Sequence, residues 1–252
     1  LHPYANLSCN MKADAGRRDK NPGLQKTLGT KETMVSTTNK IKAATLLVKC
    51  LENEGVEYIF GIPGEENIGI MDALLDSKIQ FVTTRHEQGA AFMADVYGRL
   101  TGRAGVCMST LGPGATNLVT GVADANMDRA PIVAIAGQGA TTRLHKESHQ
   151  ILDLVNLFDP ISKYSVQVLM PEIVPEVVRK AFKFAEAEKP GAAFIDFPEN
   201  VAEMEIEDMP PLRVQSAAHA VAPQGKAQQV IDALNAASNP LIIAGNGVIR
   251  FD

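Results

Sequence analysis

The sequence predicts an α/β fold, a doubly wound parallel sheet with helices on both faces, followed by the beginning of a second α/β domain. Two observations carry that expectation. Three turns join a short apolar run to a segment of helical spacing: Phe60-Gly61-Ile62-Pro63-Gly64-Glu65, Arg85-His86-Glu87-Gln88-Gly89-Ala90-Ala91 and Leu111-Gly112-Pro113-Gly114-Ala115-Thr116-Asn117. They recur at about the spacing of successive βα units, which implies right-handed crossovers. The run from Pro131 to Ala136 is continuously apolar, as central strands of a parallel sheet usually are.

The elements follow in order from Lys40. Ile41, Ala44, Leu47, Val48 and Leu51 fall at helical spacing, and Gly55 ends that helix as a C-terminal glycine does. Tyr58 to Phe60 reads as a short strand, Asn67 to Leu75 as a helix and Gln80 to Thr84 as a strand. A helix runs from Glu87 to Leu100, and Gly105 to Ser109 is a buried strand. Pro113 opens a helix reaching Ala125, at a position where its missing N–H costs nothing. After the Pro131–Ala136 strand come a polar loop from Gln138 to Gln150, a long helix from Pro171 to Glu188 and a strand from Ala192 to Phe197. Residues 199–225 lack periodicity and read as a linker. Gln228 to Ala237 predicts a helix and Pro240 to Ala244 a strand. One such pair cannot bury a useful core, so the chain is expected to be part of something longer. The domain plan is a disordered tail over 1–36, a first domain over 37–198, a linker over 199–225 and the start of a truncated central domain over 226–252.

Glu87 is the most informative side chain. It sits in the first helical turn beyond a strand, at the level where open α/β sheets bind ligands. Positions 87, 90, 91, 94 and 98 share a helix face and read Glu, Ala, Ala, Ala, Gly. One carboxylate therefore stands on a stripe of almost no side-chain bulk. The plain alternative is an acid that the helix dipole favours at any N-terminus.

Composition narrows the function classes. The net charge is −5 over 252 residues with both signs interspersed, so no nucleic-acid footprint shows. Aromatics are only 5% and Trp is absent, which leaves no stacking ladder for single strands. No apolar run approaches the roughly 20 residues that span a bilayer. Cys9, Cys50 and Cys107 are widely spaced and form no metal or disulfide pattern, which suits a reducing, cytoplasmic setting. Residues 1–33 carry six basic and three acidic residues. Organelle-targeting peptides are usually poorer in acids and more amphipathic, so residues ahead of Met34 read as upstream sequence.

The three turns, with Ala136-Gly137-Gln138, His149-Gln150, Lys189-Pro190-Gly191 and Phe194-Ile195-Asp196-Phe197-Pro198, resemble the N-terminal, pyrimidine-binding domain of thiamine-diphosphate enzymes. Within that family they are most similar to the acetolactate synthases of the catabolic, flavin-independent type, so FAD is not expected. The resemblance implies condensation of two pyruvates to 2-acetolactate with loss of CO2 through a thiamine-diphosphate ylide. It leaves two alternatives, another 2-oxo acid decarboxylase or oxidase of the family, or a truncated non-catalytic dimerisation partner. It implies Glu87 and Gln150 as catalytic residues, and Ile62, Pro63, Gly64, Glu87, Thr110, Pro113 and Asn117 as cofactor-binding. By themselves Ile62-Pro63-Gly64 and Gly112-Pro113-Gly114 could be turns and nothing more. His149 could be a solvated loop residue, and His86 is expected to orient its turn. Mg2+ is implied with ligands outside this chain, since the family's Gly-Asp-Gly and Asn-Asn motifs are missing at the required spacing. A homodimer or homotetramer is implied too, because in the family a second subunit completes the cofactor site.

Overall fold

Six strands form one sheet in the order β3-β2-β4-β5-β7-β6, and every neighbouring pair runs parallel. The structure is a computed structural model that describes residues 39–215 and 221–249. In chain order it comprises β1 (Lys40–Lys42), α1 (Ala43–Asn53), β2 (Tyr58–Gly61), α2 (Ile68–Leu74), β3 (Gln80–Thr83) and α3 (Glu87–Thr101). Then come β4 (Gly105–Ser109), α4 (Pro113–Asp128), β5 (Ile132–Gln138), α5 (Leu154–Phe158), β6 (Tyr164–Gln167), α6 (Val174–Glu186) and β7 (Ala192–Pro198). Last are α7 (Glu199–Ala202), β8 (Glu205–Glu207), α8 (Gln224–Ala236) and α9 (Asn246–Ile249).

The two-residue period of the strands divides the core into two. Val106, Met108, Val133, Ile135, Ala193 and Ile195 face α1, α2 and α6. Cys107, Ile132, Ala134, Ala136, Ala192 and Phe194 face α3, α4 and α5. On the second side Phe158 and Phe194 stack with centroids 3.8 Å apart. Helices on both faces and a parallel sheet are the fold class that the sequence predicts. The strand order also fixes where a ligand can enter. From β2 the chain moves outward to β3, and from β4 it moves the other way to β5. A reversal of this kind opens a crevice at the carboxyl ends of the two diverging strands.

The elements around the crevice match the sequence expectation to within a few residues, and the departures lie elsewhere. Residues 199–207, expected as linker, form α7 and β8 and bury Val201, Ala202 and Ile206. β8 pairs antiparallel with β1, and Lys42 and Glu203 close to 2.7 Å beside it. β1 takes the residues expected to begin the first helix. α5 and β6 had no distinct sequence signal; β6 is an edge strand of half-buried residues without a long apolar run. The expected strand at 240–244 does not form. A strand needs a neighbour for its backbone N–H and C=O groups, and Leu241, Ile242 and Ile243 stand exposed. Gly245-Asn246-Gly247 leads into α9 where a tight turn was expected. α8 does form, with every described side chain from 221 to 236 exposed. Expectations for residues 1–36 lie outside the described residues. Among the described residues, no helix is long and apolar enough to cross a membrane.

α3 lies close on the sheet because its inner face is small. At Gly98 an added Cβ would run into the Pro131 carbonyl. Gly98→Val should therefore lower unfolding stability by about 1–3 kcal/mol, the usual cost of overpacking, read from the urea midpoint. An unchanged midpoint would show that α3 can move away from β5 freely.

Candidate active site

Glu87 begins α3 just beyond β3 and is 9% exposed. The residue before it sets the helix start. His86 is extended, and its Nδ1 accepts the Gln88 N–H at 3.1 Å, so His86 caps α3, as the sequence suggests. The Glu87 carboxylate then points across to α4, where Asn117 Nδ2 donates to its Oε2 at 2.9 Å. The other oxygen, Oε1, looks over Gly114; a Cβ placed on that glycine would stand 3.4 Å from it.

The β4–α4 turn depends on Gly112, whose φ of 54° and ψ of −120° suit only a residue without a Cβ. Pro113 occupies the first helical turn with its ring exposed. Thr110 faces the β2 turn, where a Cβ on Gly64 would lie 2.5 Å from the Thr110 Cβ. That turn is held from within. The Ile62 N–H donates to the Met108 carbonyl at 3.3 Å. Asn67 Oδ1 accepts the Gly64 N–H at 2.8 Å, and Asn67 Nδ2 donates to the Ile62 carbonyl at 3.4 Å. Thr110 Oγ1 donates to Glu66 Oε2 at 2.5 Å, so the Thr110 hydroxyl serves a buried carboxylate of its own chain.

Ile62, Gly64, Glu87, Thr110, Gly114 and Asn117 are thus gathered where β2, β3 and β4 end. Gln150 arrives from the long loop after β5. Its φ is 55°, and its main-chain oxygen is 2.7 Å from where a Gly112 Cβ would stand. His149 is exposed beside it. His145 belongs elsewhere, lining a cavity below the loop.

Four residues that hold this loop escape sequence reading. Gln138 Nε2 donates to the Leu152 carbonyl at 3.1 Å and to Asp196 Oδ2 at 3.4 Å. Glu199 Oε1 accepts the Ala140 N–H at 3.0 Å and pairs with Arg143 at 3.1 Å. Asn200 Oδ1 accepts the Thr141 N–H at 2.8 Å. Asp196 closes the network from beneath. A faint signal exists: Gln138, Asp196 and Glu199 are polar residues at the ends of apolar strands. Among the described residues the thiols contribute no nucleophile, since burial pushes both Cys50 and Cys107 up to about 12, where thiolate is scarce. Among the described residues, no group of three His, Cys, Asp or Glu side chains could hold a metal ion.

Residues 41–157 match the family described as thiamine pyrophosphate enzyme, N-terminal TPP binding domain. The chain is 40% identical over 219 residues to the probable acetolactate synthase large subunit of Methanocaldococcus jannaschii, covering 83% of this chain and 36% of that protein. It is 40% identical over 202 residues to the catabolic acetolactate synthase of Raoultella terrigena, covering 80% and 36%. With the acetolactate synthase of Bacillus subtilis it shares 48% over 162 residues, covering 64% and 28%. The chain therefore spans about a third of the length of the curated relatives it matches.

Burial raises the Asp196 carboxyl to about 6, against the opposing hydrogen bonds from Gln167 and Gln138. A folded-state value above the unfolded one means that stability is complete below the unfolded value and falls as pH rises through about 6. Glu54, raised to about 7 chiefly by burial, adds a loss of the same sign. Asp196→Asn should therefore flatten the decline in urea midpoint between about pH 4 and pH 7 without abolishing it. Parallel profiles for the two proteins would mean that Asp196 does not titrate in that range.

Proposed function

We propose, on the premise that this chain belongs to the thiamine-diphosphate-dependent enzymes, that it is the N-terminal part of an acetolactate synthase that joins two pyruvates with loss of CO2. The observation that carries the reading is the buried Glu87 carboxylate, bound by Asn117 on one oxygen and open toward Gly114 on the other.

The residues present fit the pyrimidine half of the cofactor. Glu87 Oε1 faces Gly114, where a Cβ would stand 3.4 Å from it, so the glycine leaves that side of the carboxylate free of a side chain of its own. Glu87 would hold a proton shared with a ring nitrogen, and Asn117 keeps the carboxylate aimed. Ile62, Pro63 and Gly64 offer a backbone edge to the ring, and Thr110 with Pro113 forms the opposite turn. Thr110 acts there by holding Glu66 in place. When bound, thiamine diphosphate supplies the carbon nucleophile that adds to a 2-oxo acid. Gln150, brought against Gly112, is the side chain offered to the reacting 2-oxo acid. Mg2+ is held with the diphosphate by residues outside this chain, in a second subunit of a homodimer or homotetramer. His86 caps α3 and orients the turn that carries Glu87. Residues 226–252 begin a central domain, and the enzyme works in the cytoplasm without flavin.

Glu87→Gln in the complete enzyme preserves volume and the Asn117 contact but cannot share the proton. Loss of a positioned acid–base group typically costs about 10²–10⁴-fold, so hydrogen–deuterium exchange at C2 of the bound cofactor should slow by that order while circular dichroism is unchanged. Unchanged exchange would remove Glu87 from the mechanism.

The chain of 252 residues alone, given pyruvate, Mg2+ and thiamine diphosphate, should form no acetolactate, because the diphosphate ligands are placed elsewhere. Turnover by this chain would overturn that division of the site.

A further inference from the structure

Gln150 stands near the end of a loop with little structure of its own. Between β5 and α5 the chain makes one short helical turn, Thr141–Arg143. Inside the loop the N–H groups of Arg143, Lys146 and Ile151 donate to the carbonyls of Ala140, Arg143 and Ser148 at 2.7, 3.3 and 3.4 Å. His145 and Gln150 take φ values of 60° and 55°. Residues with a Cβ keep that left-handed conformation only where the surroundings impose it. Gln150 nonetheless has a defined seat, its main-chain oxygen 2.7 Å from where a Gly112 Cβ would stand.

The hold comes from outside the loop. β7 is buried along its whole length, and the two residues that follow it reach the outgoing arm. Glu199 Oε1 accepts the Ala140 N–H at 3.0 Å and an Arg143 Nη1 hydrogen at 3.1 Å. Asn200 Oδ1 accepts the Thr141 N–H at 2.8 Å, and Asn200 Nδ2 donates to Thr141 Oγ1 at 2.9 Å. The returning arm is held on both sides of Gln150. Beyond it, Gln138 donates to the Leu152 carbonyl. Ahead of it, Arg143 Nε donates to Ser148 Oγ at 2.9 Å. The Arg143–Glu199 pair is partly exposed, and its charge alone is worth little. Its geometry matters more. A guanidinium is a planar fork, so Nη1 held on Glu199 fixes the direction in which Nε meets Ser148.

We infer that Arg143 is a positioning residue for Gln150, carrying the anchor at Glu199 across the loop to Ser148 and so setting where Gln150 meets the β4–α4 turn. The inference rests on the reading that the Gln150 side chain is offered to the reacting 2-oxo acid. None of the bonds named here touches Glu87, Asn117 or Thr110. Loss of the link should therefore spare the proton held at Glu87 and impair what Gln150 does.

Two variants cut the link at different points. Arg143→Met keeps an unbranched apolar stem and removes the fork, and Ser148→Ala removes only the hydroxyl. In the chain of 252 residues, 15N relaxation should show the Gln150 amide rigid in the parent and mobile in either variant on the picosecond–nanosecond scale, with Glu87 and Asn117 unchanged. In the complete enzyme, kcat/KM for pyruvate should fall about 10- to 100-fold in both variants, a misplacement of about 1 Å costing up to the latter. The fall should be carried by kcat rather than KM. Hydrogen–deuterium exchange at C2 of the bound cofactor should keep its rate. Arg143→Lys should recover little, because an ammonium is a point charge and not a fork. In a Gln150→Ala background Arg143→Met should cost no more than about twofold further, as residues acting as one unit are not additive. A rigid Gln150 in both variants, slowed exchange at C2, or the full further loss in the Gln150→Ala background would each overturn the inference. Full turnover by Gln150→Ala alone would instead remove the role given to Gln150, and relaxation would still decide whether Arg143 holds it.

Discussion

A helix comes closest to a parallel sheet when its inner face is nearly bare. Ala90, Ala91, Ala94 and Gly98 give α3 such a face, all buried. The close approach fixes the height of Glu87 above the strand ends, because Glu87 belongs to the same rigid helix. It also brings α4 alongside, near enough for Asn117 to reach the carboxylate at 2.9 Å. Larger inner residues would lift the helix, and the Glu87–Asn117 contact would be lost before any residue of the site had changed.

The far end of the same helix pair is tied by charge. Arg99 donates to Asp95 on its own helix and to Asp124 and Asp128 on α4, at 2.8–2.9 Å. Exposed ion pairs are individually worth little. Asp95, however, is 2% exposed, and three carboxylates on one guanidinium form a network rather than a pair. α3 and α4 are thus linked near Glu87 by an amide–carboxylate bond and at the opposite end by this fan. The arrangement resists rotation of one helix against the other, which is the motion that would misplace the Glu87 oxygens.

Much of this was legible in the sequence. The central strands β2, β4, β5 and β7 announce themselves because strands buried on both faces read as near-continuous apolar runs. The bare face of α3 and the turn glycines could be read for the same kind of reason: each excludes bulk at a fixed period or in a tight turn. What escaped depends on contacts between residues far apart in the chain. Glu66 became intelligible only when Thr110 was seen donating to it. Gln138, Asp196, Glu199 and Asn200 hold the loop bearing Gln150 through partners that no local pattern predicts. β6 and α5 were missed because a half-buried edge strand and a five-residue helix carry too short a period. The strand expected at 240–244 had the right composition but no neighbour, and propensity alone does not make a sheet.

The pairing of β1 with β8 has a meaning for how the domain is made. Lys49 on α1 reaches Asp208, 159 residues away, at 2.8 Å. Synthesis runs from the N-terminus, so β1 leaves the ribosome long before its partner exists. The central strands can assemble earlier, each parallel pair awaiting only the crossover that joins it. β1 and β8 then join as a latch once the last stretch of this domain has emerged. Contacts of such long sequence separation are slow to form. Until the latch closes, the apolar seam that Ile206 covers stays open to chaperones and proteases on the nascent chain.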